Sequence, residues 1–166
     1  MSHGFGIETW VDNSKYSGVY NLGRKHDFGT YIWKDGSKYT GNWQENKISG
    51  IGIYEWLDGR SYQGEWVENN MEGVGIYKWL DGRSYTGEYL DDKKHGYGVF
   101  VWNDGRRYAG FWANGKQHGL GQYEKPSEGK IKYGLWEDGK VLQWFGPDMV
   151  ESINNEVQGY AQYFVN

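Results

Sequence analysis

The chain has 166 residues, enough for one ordinary domain, and combines 27 glycines with an aromatic content of 19%. The mean hydropathy of -0.88 excludes a thick aliphatic core, whereas the aromatic content excludes a disordered chain. The net charge of -4 excludes a basic nucleic-acid-binding surface, and the absence of cysteine excludes disulfides and thiolate metal sites.

A repeat of 23 residues is the dominant feature of the sequence. It extends over residues 3–141, with units that start near residues 3, 26, 49, 72, 95 and 118. A Tyr-x-Gly series begins at Tyr16, a Gly-x-Gly series at Gly4, a tryptophan series at Trp10, and a further aromatic series at Tyr20. Four series with one period predict a tandem array of six equivalent structural units.

Each unit is predicted to be one antiparallel β-hairpin. In residues 49–71, Ile51 and Ile53 alternate with Gly52 and Tyr54, which is strand periodicity. Asp58-Gly59 predicts a tight turn between the two strands, and residues 68–70 predict the turn into the next unit. Six hairpins in sequence predict an all-β, elongated, single-layer antiparallel meander of about 55–60 Å at the usual strand spacing.

The two faces of this meander differ in composition. One face carries Tyr and Trp interleaved with Gly, so each ring can lie across the space that a neighbouring glycine leaves empty. These rings are interpreted either as the thin core of the fold or as an aromatic groove for a partner. The other face is partly aliphatic, with Phe5, Phe28, Ile51 and Val74 at one repeat position, and some of it is expected to stay exposed.

The C-terminal part departs from the pattern. Pro126 in the sixth unit indicates an edge at which the array ends, although residues 141–145 can add a last half strand. From Gly146 onward the repeat is absent, and Pro147 suits the first position of a helix. Residues 146–166 are therefore predicted to form a short helical segment, which either caps the last hairpin or docks to another molecule. Its apolar positions are Met149, Val150, Ile153, Val157, Tyr160, Ala161 and Phe164.

No catalytic, metal or cofactor site is predicted. The four histidines, His3, His26, His95 and His118, share one repeat position and are interpreted as structural turn residues. Adjacent copies of that position are about 10 Å apart, too far to share one zinc ion. The Gly-x-Gly glycines precede no helix that could receive a phosphate, and the acidic residues lie in repeated turns. We expect a protein that is not an enzyme.

A cation follows each hairpin turn and predicts a basic edge. This edge could meet phosphoinositide headgroups or an acidic partner, or it could be neutralised by Asp35, Asp58, Asp81 and Asp104 in the same turns. The residues of the possible basic edge are Lys38, Arg60, Arg83, Arg106 and Arg107.

The pattern resembles the MORN family (membrane occupation and recognition nexus), whose unit reads Tyr-x-Gly-x-Trp, a turn, and Gly-x-Gly. Here it stands as Tyr39-Thr40-Gly41-Asn42-Trp43 and Gly50-Ile51-Gly52, with near copies through residues 3–141. The resemblance implies a twisted ribbon with an aromatic groove that binds a helical or extended segment. It also implies a cytoplasmic protein of a cytoskeletal or ciliary (axonemal) assembly.

The predicted function is therefore a non-catalytic protein-binding scaffold, with peripheral membrane or phosphoinositide binding through the basic edge as the alternative. A homodimer through the unpaired ends of the array is a further prediction. No nucleic acid is expected as a partner. The predicted groove residues are Tyr31, Trp33, Tyr39, Trp43, Tyr54, Trp56, Tyr62, Trp66, Tyr77, Trp79, Tyr85 and Tyr89.

Overall fold

The computed structural model describes residues 2–161, which form thirteen β-strands and one α-helix. Phe164 of the predicted helical pattern lies outside the described residues. The strands are β1 (Gly4–Thr9), β2 (Lys15–Asn21), β3 (Arg24–Ile32), β4 (Lys38–Gln44), β5 (Lys47–Glu55), β6 (Ser61–Val67), β7 (Asn70–Lys78), β8 (Ser84–Leu90), β9 (Lys93–Val101), β10 (Arg107–Ala113), β11 (Lys116–Lys125), β12 (Lys130–Glu137) and β13 (Lys140–Trp144). The helix α1 spans Pro147–Ala161, so Pro147 is at its first position, as predicted.

The chain divides into two compact units, Met1–Leu80 and Asp81–Asn166. In the first unit, each of the strands β1 to β7 pairs antiparallel with its neighbour in sequence. In the second unit, β8 to β13 do the same, and α1 follows them. The predicted fold class, an antiparallel meander of repeated hairpins with a short C-terminal helix, is confirmed.

The two hairpin turns of a repeat have different constructions. The turns between repeats have two residues, both with positive φ, as in Glu45-Asn46 and Glu68-Asn69. Positive φ at both positions is the mark of the type I′ turn, whose twist matches that of the paired strands. The Asp58-Gly59 turn lies in a longer loop. A hydrogen bond of 2.9 Å from the Trp56 N–H to the Arg60 carbonyl oxygen closes this loop.

A β-bulge recurs after each turn between repeats, and sequence periodicity gave no indication of it. On β4 and β5, Gly41 pairs with Gly52 and Trp43 pairs with Ile48. The single residue Asn42 of β4 therefore lies opposite three residues of β5, which form the bulge. Gly50 lies in this bulge with φ 101°, and Asp27 holds the same position in β3 with φ 52°. The first glycine of Gly-x-Gly therefore provides the left-handed conformation of the bulge, which Asp can also adopt.

The second glycine of Gly-x-Gly has a separate role, because it makes room for a tyrosine ring. A Cβ atom on Gly52 would lie 2.1 Å from the hydroxyl oxygen of Tyr39 and 2.4 Å from Cζ, the ring carbon that carries this hydroxyl. The tyrosine itself is fully buried. Its hydroxyl donates to the Asn42 carbonyl oxygen at 2.9 Å, within the bulge. The expectation that rings lie across glycines is thus confirmed, and it accounts for the core of the sheet. The tyrosines at this position, all fully buried, are Tyr16, Tyr39, Tyr62, Tyr85 and Tyr108.

Pro126 does not mark an edge of the sheet, contrary to the prediction. It begins a short 3-10 turn, Pro126–Glu128, which replaces the usual loop and connects β11 to β12. In these two strands Gly119 pairs with Trp136 at one end and Lys125 pairs with Lys130 at the other. β13 then pairs with β12 as the predicted last strand. A proline is tolerated here because the turn needs no N–H donor at its first residue.

Helix α1 packs on the strands of the second unit through Val157. Val157 is 2% exposed and contacts a cluster formed by Tyr97 and Ala109 of β9 and β10. Tyr133 of β12 adds a hydrogen bond from its hydroxyl to the Asn154 side-chain oxygen, 3.3 Å long. Docking of this segment to another molecule stays a prediction.

Candidate partner-binding surface

The aromatic face contains a buried layer beneath a partly exposed one. Trp43 and Trp66 belong to the buried layer, and their indole N–H groups donate to the Gly29 and Gly52 carbonyl oxygens at 3.0 and 3.2 Å. Each indole also meets the edge of a buried tyrosine, as in the Tyr39–Trp43 pair with a centroid distance of 5.3 Å. These side chains use both their surface and their polar atoms inside the fold.

A continuous row of stacked rings lies at the surface of the first unit. Neighbouring centroids are 4.4–5.5 Å apart, and neighbouring ring planes are tilted by 31–47°. Most of its members are partly exposed, whereas Tyr77 is only 7% exposed. The members of this surface aromatic row are Trp10, Tyr31, Trp33, Tyr54, Trp56, Tyr77 and Trp79.

The second unit has a more open version of the row. Phe100 and Trp102 are 4.7 Å apart, but Trp102–Tyr123 and Tyr123–Trp144 are 6.4 and 6.3 Å apart. Trp144 comes from β13 and contacts Tyr123, whose own repeat has Lys125 at the tryptophan position. The rings of the first unit therefore form the denser apolar surface.

The structure separates the predicted groove residues into two groups. Tyr31, Trp33, Tyr54, Trp56 and Trp79 lie in the surface aromatic row and are partly exposed. The others are buried and have little surface to offer a partner; they are Tyr39, Trp43, Tyr62, Trp66, Tyr77, Tyr85 and Tyr89. Trp10 was not among the predicted residues, although its place in the tryptophan series was a sufficient signal.

Two lysines enclosed by rings were also not predicted. The Nζ atom of Lys25 lies 5.4–5.7 Å from the ring centroids of Trp10, Tyr16, Tyr31 and Trp43. Burial lowers the pKa of Lys25 because the rings replace water around its ammonium group. Lys94 has the same repeat position in the second unit and the same kind of environment, and burial lowers its pKa too. In other repeats the same position holds an apolar side chain, Ile48 or Met71. This indicates that the side chain at this position fills the space between neighbouring rings.

Burial also affects the core tyrosines. It raises the pKa of Tyr16 to about 12, since a phenolate would lose its hydration beneath the neighbouring rings. The pKa of Tyr39 is raised for the same reason, despite the opposing effect of its hydrogen bond to the backbone. These hydroxyls act as structural donors to the bulges.

Four cations of the possible basic edge, Lys38, Arg60, Arg83 and Arg106, form ion pairs. Arg60 contacts Asp58 at 2.8 Å, and its guanidinium carbon lies 5.2 Å from the Trp56 centroid. Its Nη1 also lies 3.1 Å from the Tyr77 hydroxyl. The Arg60 N–H and guanidinium hold the pKa of Asp58 below its ordinary value. Arg83 pairs with Asp81 and Arg106 with Asp104 in the same manner.

Lys38 departs from this scheme. It pairs with Glu55 of the neighbouring strand at 3.0 Å, whereas Asp35 accepts hydrogen bonds from Ser37. Arg107 lies at the start of β10; burial raises the pKa of Tyr97, and the positive charge of Arg107 opposes that rise. Charge on this edge is therefore largely compensated within the chain, which reduces its attraction for anionic lipid.

The interpretation of the histidines as turn residues is wrong for three of them. His26, His95 and His118 lie inside β3, β9 and β11, at the start of the bulge rather than in a turn. Over residues 2–161, no group of three or more His, Cys, Asp or Glu side chains is placed to hold a metal ion. Within the same range, no helix is long and apolar enough to cross a membrane.

Comparison with known proteins identifies the repeat. The solved structures include a match to the SAS-4 (dCPAP) TCP domain of Drosophila melanogaster, in complex with a proline-rich motif of Ana2 (dSTIL). That match has 11% sequence identity and a TM-score of 0.44, and it covers 86% of this chain and 89% of the other. No curated protein sequence matches the chain. The family model described as MORN repeat matches residues 1–15, 16–38, 39–59, 62–82, 85–106 and 108–130. The chain belongs to the MORN-repeat family.

Proposed function

We propose that this protein is a non-catalytic scaffold that binds an extended segment of a partner protein along the surface aromatic row. The observation that carries the proposal is the unbroken stacking of seven rings from Trp10 to Trp79. Aromatic side chains dominate the energetics of protein interfaces. Here they are held in place by the buried layer, so binding would cost little side-chain entropy.

The spacing of the row favours an extended segment over a helix. Two strands per repeat place equivalent rings about 9.6 Å apart. A polyproline II segment rises about 3.1 Å per residue, so every third residue advances about 9.3 Å. An α-helix presents the same face after seven residues, or about 10.5 Å, and moves out of register along the row. A segment with an apolar residue or proline at every third position therefore fits this surface best.

Binding of two synthetic peptides to the full chain tests the proposal. One peptide has proline at every third residue, and the other is an amphipathic helix former of equal length. We expect fluorescence anisotropy to show binding of the first peptide. Replacing Trp56 and Trp79 by alanine should weaken that binding by about thirtyfold or more, the effect of losing one interface hot spot.

Leu57→Ala with Leu80→Ala is the matched control. These leucines follow the two tryptophans directly and are 71% and 80% exposed, yet they lie outside the row. The control should bind as the unchanged chain does, and circular dichroism should show the same sheet content in all variants. Preference for the helical peptide, or binding that survives loss of both tryptophans, would contradict the proposal.

We further propose that the partner belongs to a cytoskeletal or ciliary assembly. The support for this is the family membership alone, since MORN arrays occur in such assemblies. Proximity labelling with the full chain in ciliated cells tests it, and the Trp56→Ala, Trp79→Ala variant is the control. Enrichment of cytoskeletal proteins that the variant loses is the expected result, and labelling without such enrichment would contradict it.

A further inference from the structure

The hairpin beneath α1 shows what this sheet needs in order to bind a helix. On β9 and β10, Tyr97 pairs with Phe111, Val99 with Ala109, and Val101 with Arg107. Val157 of α1 packs with Tyr97, Val99, Ala109 and Phe111 of this hairpin and with Tyr133 and Phe145 outside it, and Tyr97 is only 3% exposed. The part of the hairpin that meets the helix therefore combines an aromatic ring, a β-branched residue, a small residue and a second large apolar residue, and Arg107 lies at the end of the same strand.

The first hairpin of the chain repeats that combination in the same register. On β1 and β2, Phe5 pairs with Val19, Ile7 with Ser17, and Thr9 with Lys15. Each of these residues holds the repeat position of its counterpart four repeats later. Phe5 thus corresponds to Tyr97, Ile7 to Val99, Ser17 to Ala109, Val19 to Phe111 and Lys15 to Arg107.

The hairpins between these two lack the combination. In β4 the small and the large apolar positions are Thr40 and Asn42, and in β6 they are Gln63 and Glu65. The Glu65 carboxylate also accepts a hydrogen bond from the Val74 N–H of the bulge. These polar side chains stand where the helix backbone would have to approach. In β8 the same positions are Thr86 and Glu88, so of the four hairpins that precede β9 only the first carries the combination.

The surface of the first hairpin is exposed in the structure. Phe5 and Ile7 are 72% and 63% exposed, although the corresponding Tyr97 is buried. Ile51 at the same position of the third hairpin is also 65% exposed, so the first hairpin differs from it in having Ser17 and Val19 opposite its apolar pair instead of Gln63 and Glu65.

The charge of α1 indicates what kind of helix fits. Over Pro147–Ala161, α1 carries Asp148, Glu151 and Glu156 and neither lysine nor arginine. It lies on the hairpin that has Arg107 at its end. Lys15 brings a cation to the same position on the first hairpin, so an acidic helix is electrostatically complementary to both.

We propose that the face of the β1–β2 hairpin formed by Phe5, Ile7, Val19 and Lys15 binds an acidic amphipathic helix of a partner protein. The helix inserts an aliphatic side chain beside Phe5 and Ile7, as Val157 does beside Tyr97. The helix α1 of a second copy is a poorer occupant. It would have to leave its own hairpin, and the exchange would create no additional contact. This surface is separate from the surface aromatic row and does not depend on the function proposed for it.

A peptide with the sequence of residues 147–161 is the probe, because it has the required chemistry. Its binding to the full chain is measured by fluorescence anisotropy and by calorimetry for stoichiometry. We expect one peptide per chain, and no binding by a peptide with Val157→Asp. Phe5→Asp with Ile7→Asp should abolish binding, and Lys15→Glu should weaken it by about three- to tenfold, with reduced dependence on salt.

The control is Ile51→Asp with Ile53→Asp, at the same two repeat positions of a hairpin that carries Gln63 and Glu65. It should bind the peptide as the unchanged chain does. A chain with Val157→Asp should bind two peptides, because its own helix no longer covers β9 and β10. Thermal unfolding verifies that every variant folds, which is expected because Phe5 and Ile7 are exposed.

Three outcomes would overturn the proposal. The first is peptide binding that survives Phe5→Asp with Ile7→Asp. The second is no binding to the unchanged chain but one peptide bound to the Val157→Asp chain, which would restrict helix binding to β9 and β10. The third is a dimer in analytical ultracentrifugation that Phe5→Asp with Ile7→Asp dissociates and the peptide does not displace, which would make a second copy the occupant.

Discussion

At the residue scale, one tyrosine and one glycine determine the packing of each repeat. The Tyr39 ring lies on Gly52, and its hydroxyl donates to the Asn42 carbonyl oxygen in the bulge. The Asn42 side-chain oxygen in turn accepts a hydrogen bond from the Ile51 N–H at 3.3 Å. Polar groups that the bulge removes from the strand ladder are thereby satisfied by side chains.

Gly52→Ala tests this packing. The added Cβ would lie 2.1 Å from the Tyr39 hydroxyl, and the ring that would have to move is fully buried. We expect a loss of about 1–3 kcal/mol in the free energy of unfolding, typical of overpacking in a core. Chemical denaturation followed by tryptophan fluorescence measures it.

Gly6→Ala is the matched control, at the same position of the first repeat. Among the described residues, an added Cβ on Gly6 would meet only the Tyr20 ring, at 3.1 Å, and no tyrosine hydroxyl. This variant should lose much less stability than Gly52→Ala. Equal losses would mean that the glycine is required by the backbone and not by the tyrosine ring.

At the element scale, the hairpin is the repeating unit and α1 is its one helical companion in the described part of the chain. The hairpins share a two-residue turn with positive φ and a bulge, so their strands keep a constant register. Among the α1 side chains that the structure describes, Val157 is the most buried, whereas Met149 at the other end of the helix is 50% exposed.

Val157→Asp should detach α1 and leave the sheet folded. A buried carboxylate without a partner costs several kcal/mol in an apolar contact, more than a single short helix gains by packing. Hydrogen exchange should show loss of protection in residues 147–161 and unchanged protection in β1 to β7. Met149→Asp is the control and should leave α1 protected; loss of protection throughout the sheet in the Val157→Asp chain would contradict the expectation.

At the scale of the whole molecule, charge compensation limits the interaction with membranes. The net charge is -4, and Arg60, Arg83 and Arg106 each form an ion pair with an aspartate two residues earlier. Association with anionic surfaces requires uncompensated cations and decreases as salt screens them.

We expect the chain not to sediment with phosphatidylserine vesicles at physiological ionic strength. Replacing Asp58, Asp81 and Asp104 by asparagine removes three negative charges, which changes the net charge from -4 to -1. That variant should sediment with the vesicles at low salt and be released as salt rises. Strong retention of the unchanged chain at physiological salt would support the alternative of a phosphoinositide-binding edge.

The aromatic residues show how far sequence reasoning extends. Periodicity placed Tyr54 and Tyr62 on one face together with Gly52, and the structure confirms that face. Periodicity alone could not distinguish the buried Tyr62 from the partly exposed Tyr54, because both alternate identically along their strands. The difference arises from where each ring leans, over a glycine or toward the hairpin loop, and that depends on contacts between repeats.

The sequence by itself determined the repeat length, the hairpin unit and the all-β class, because each follows from local patterns of alternation and turn residues. Only the tertiary structure decided where the bulges lie, which rings remain at the surface, and that α1 covers β9 and β10 while Phe5 and Ile7 stay exposed. These features depend on strand register and on contacts between residues distant in sequence. Trp10 is therefore recognisable as a repeat residue from sequence, but its place beside Tyr31 and Lys25 required the fold.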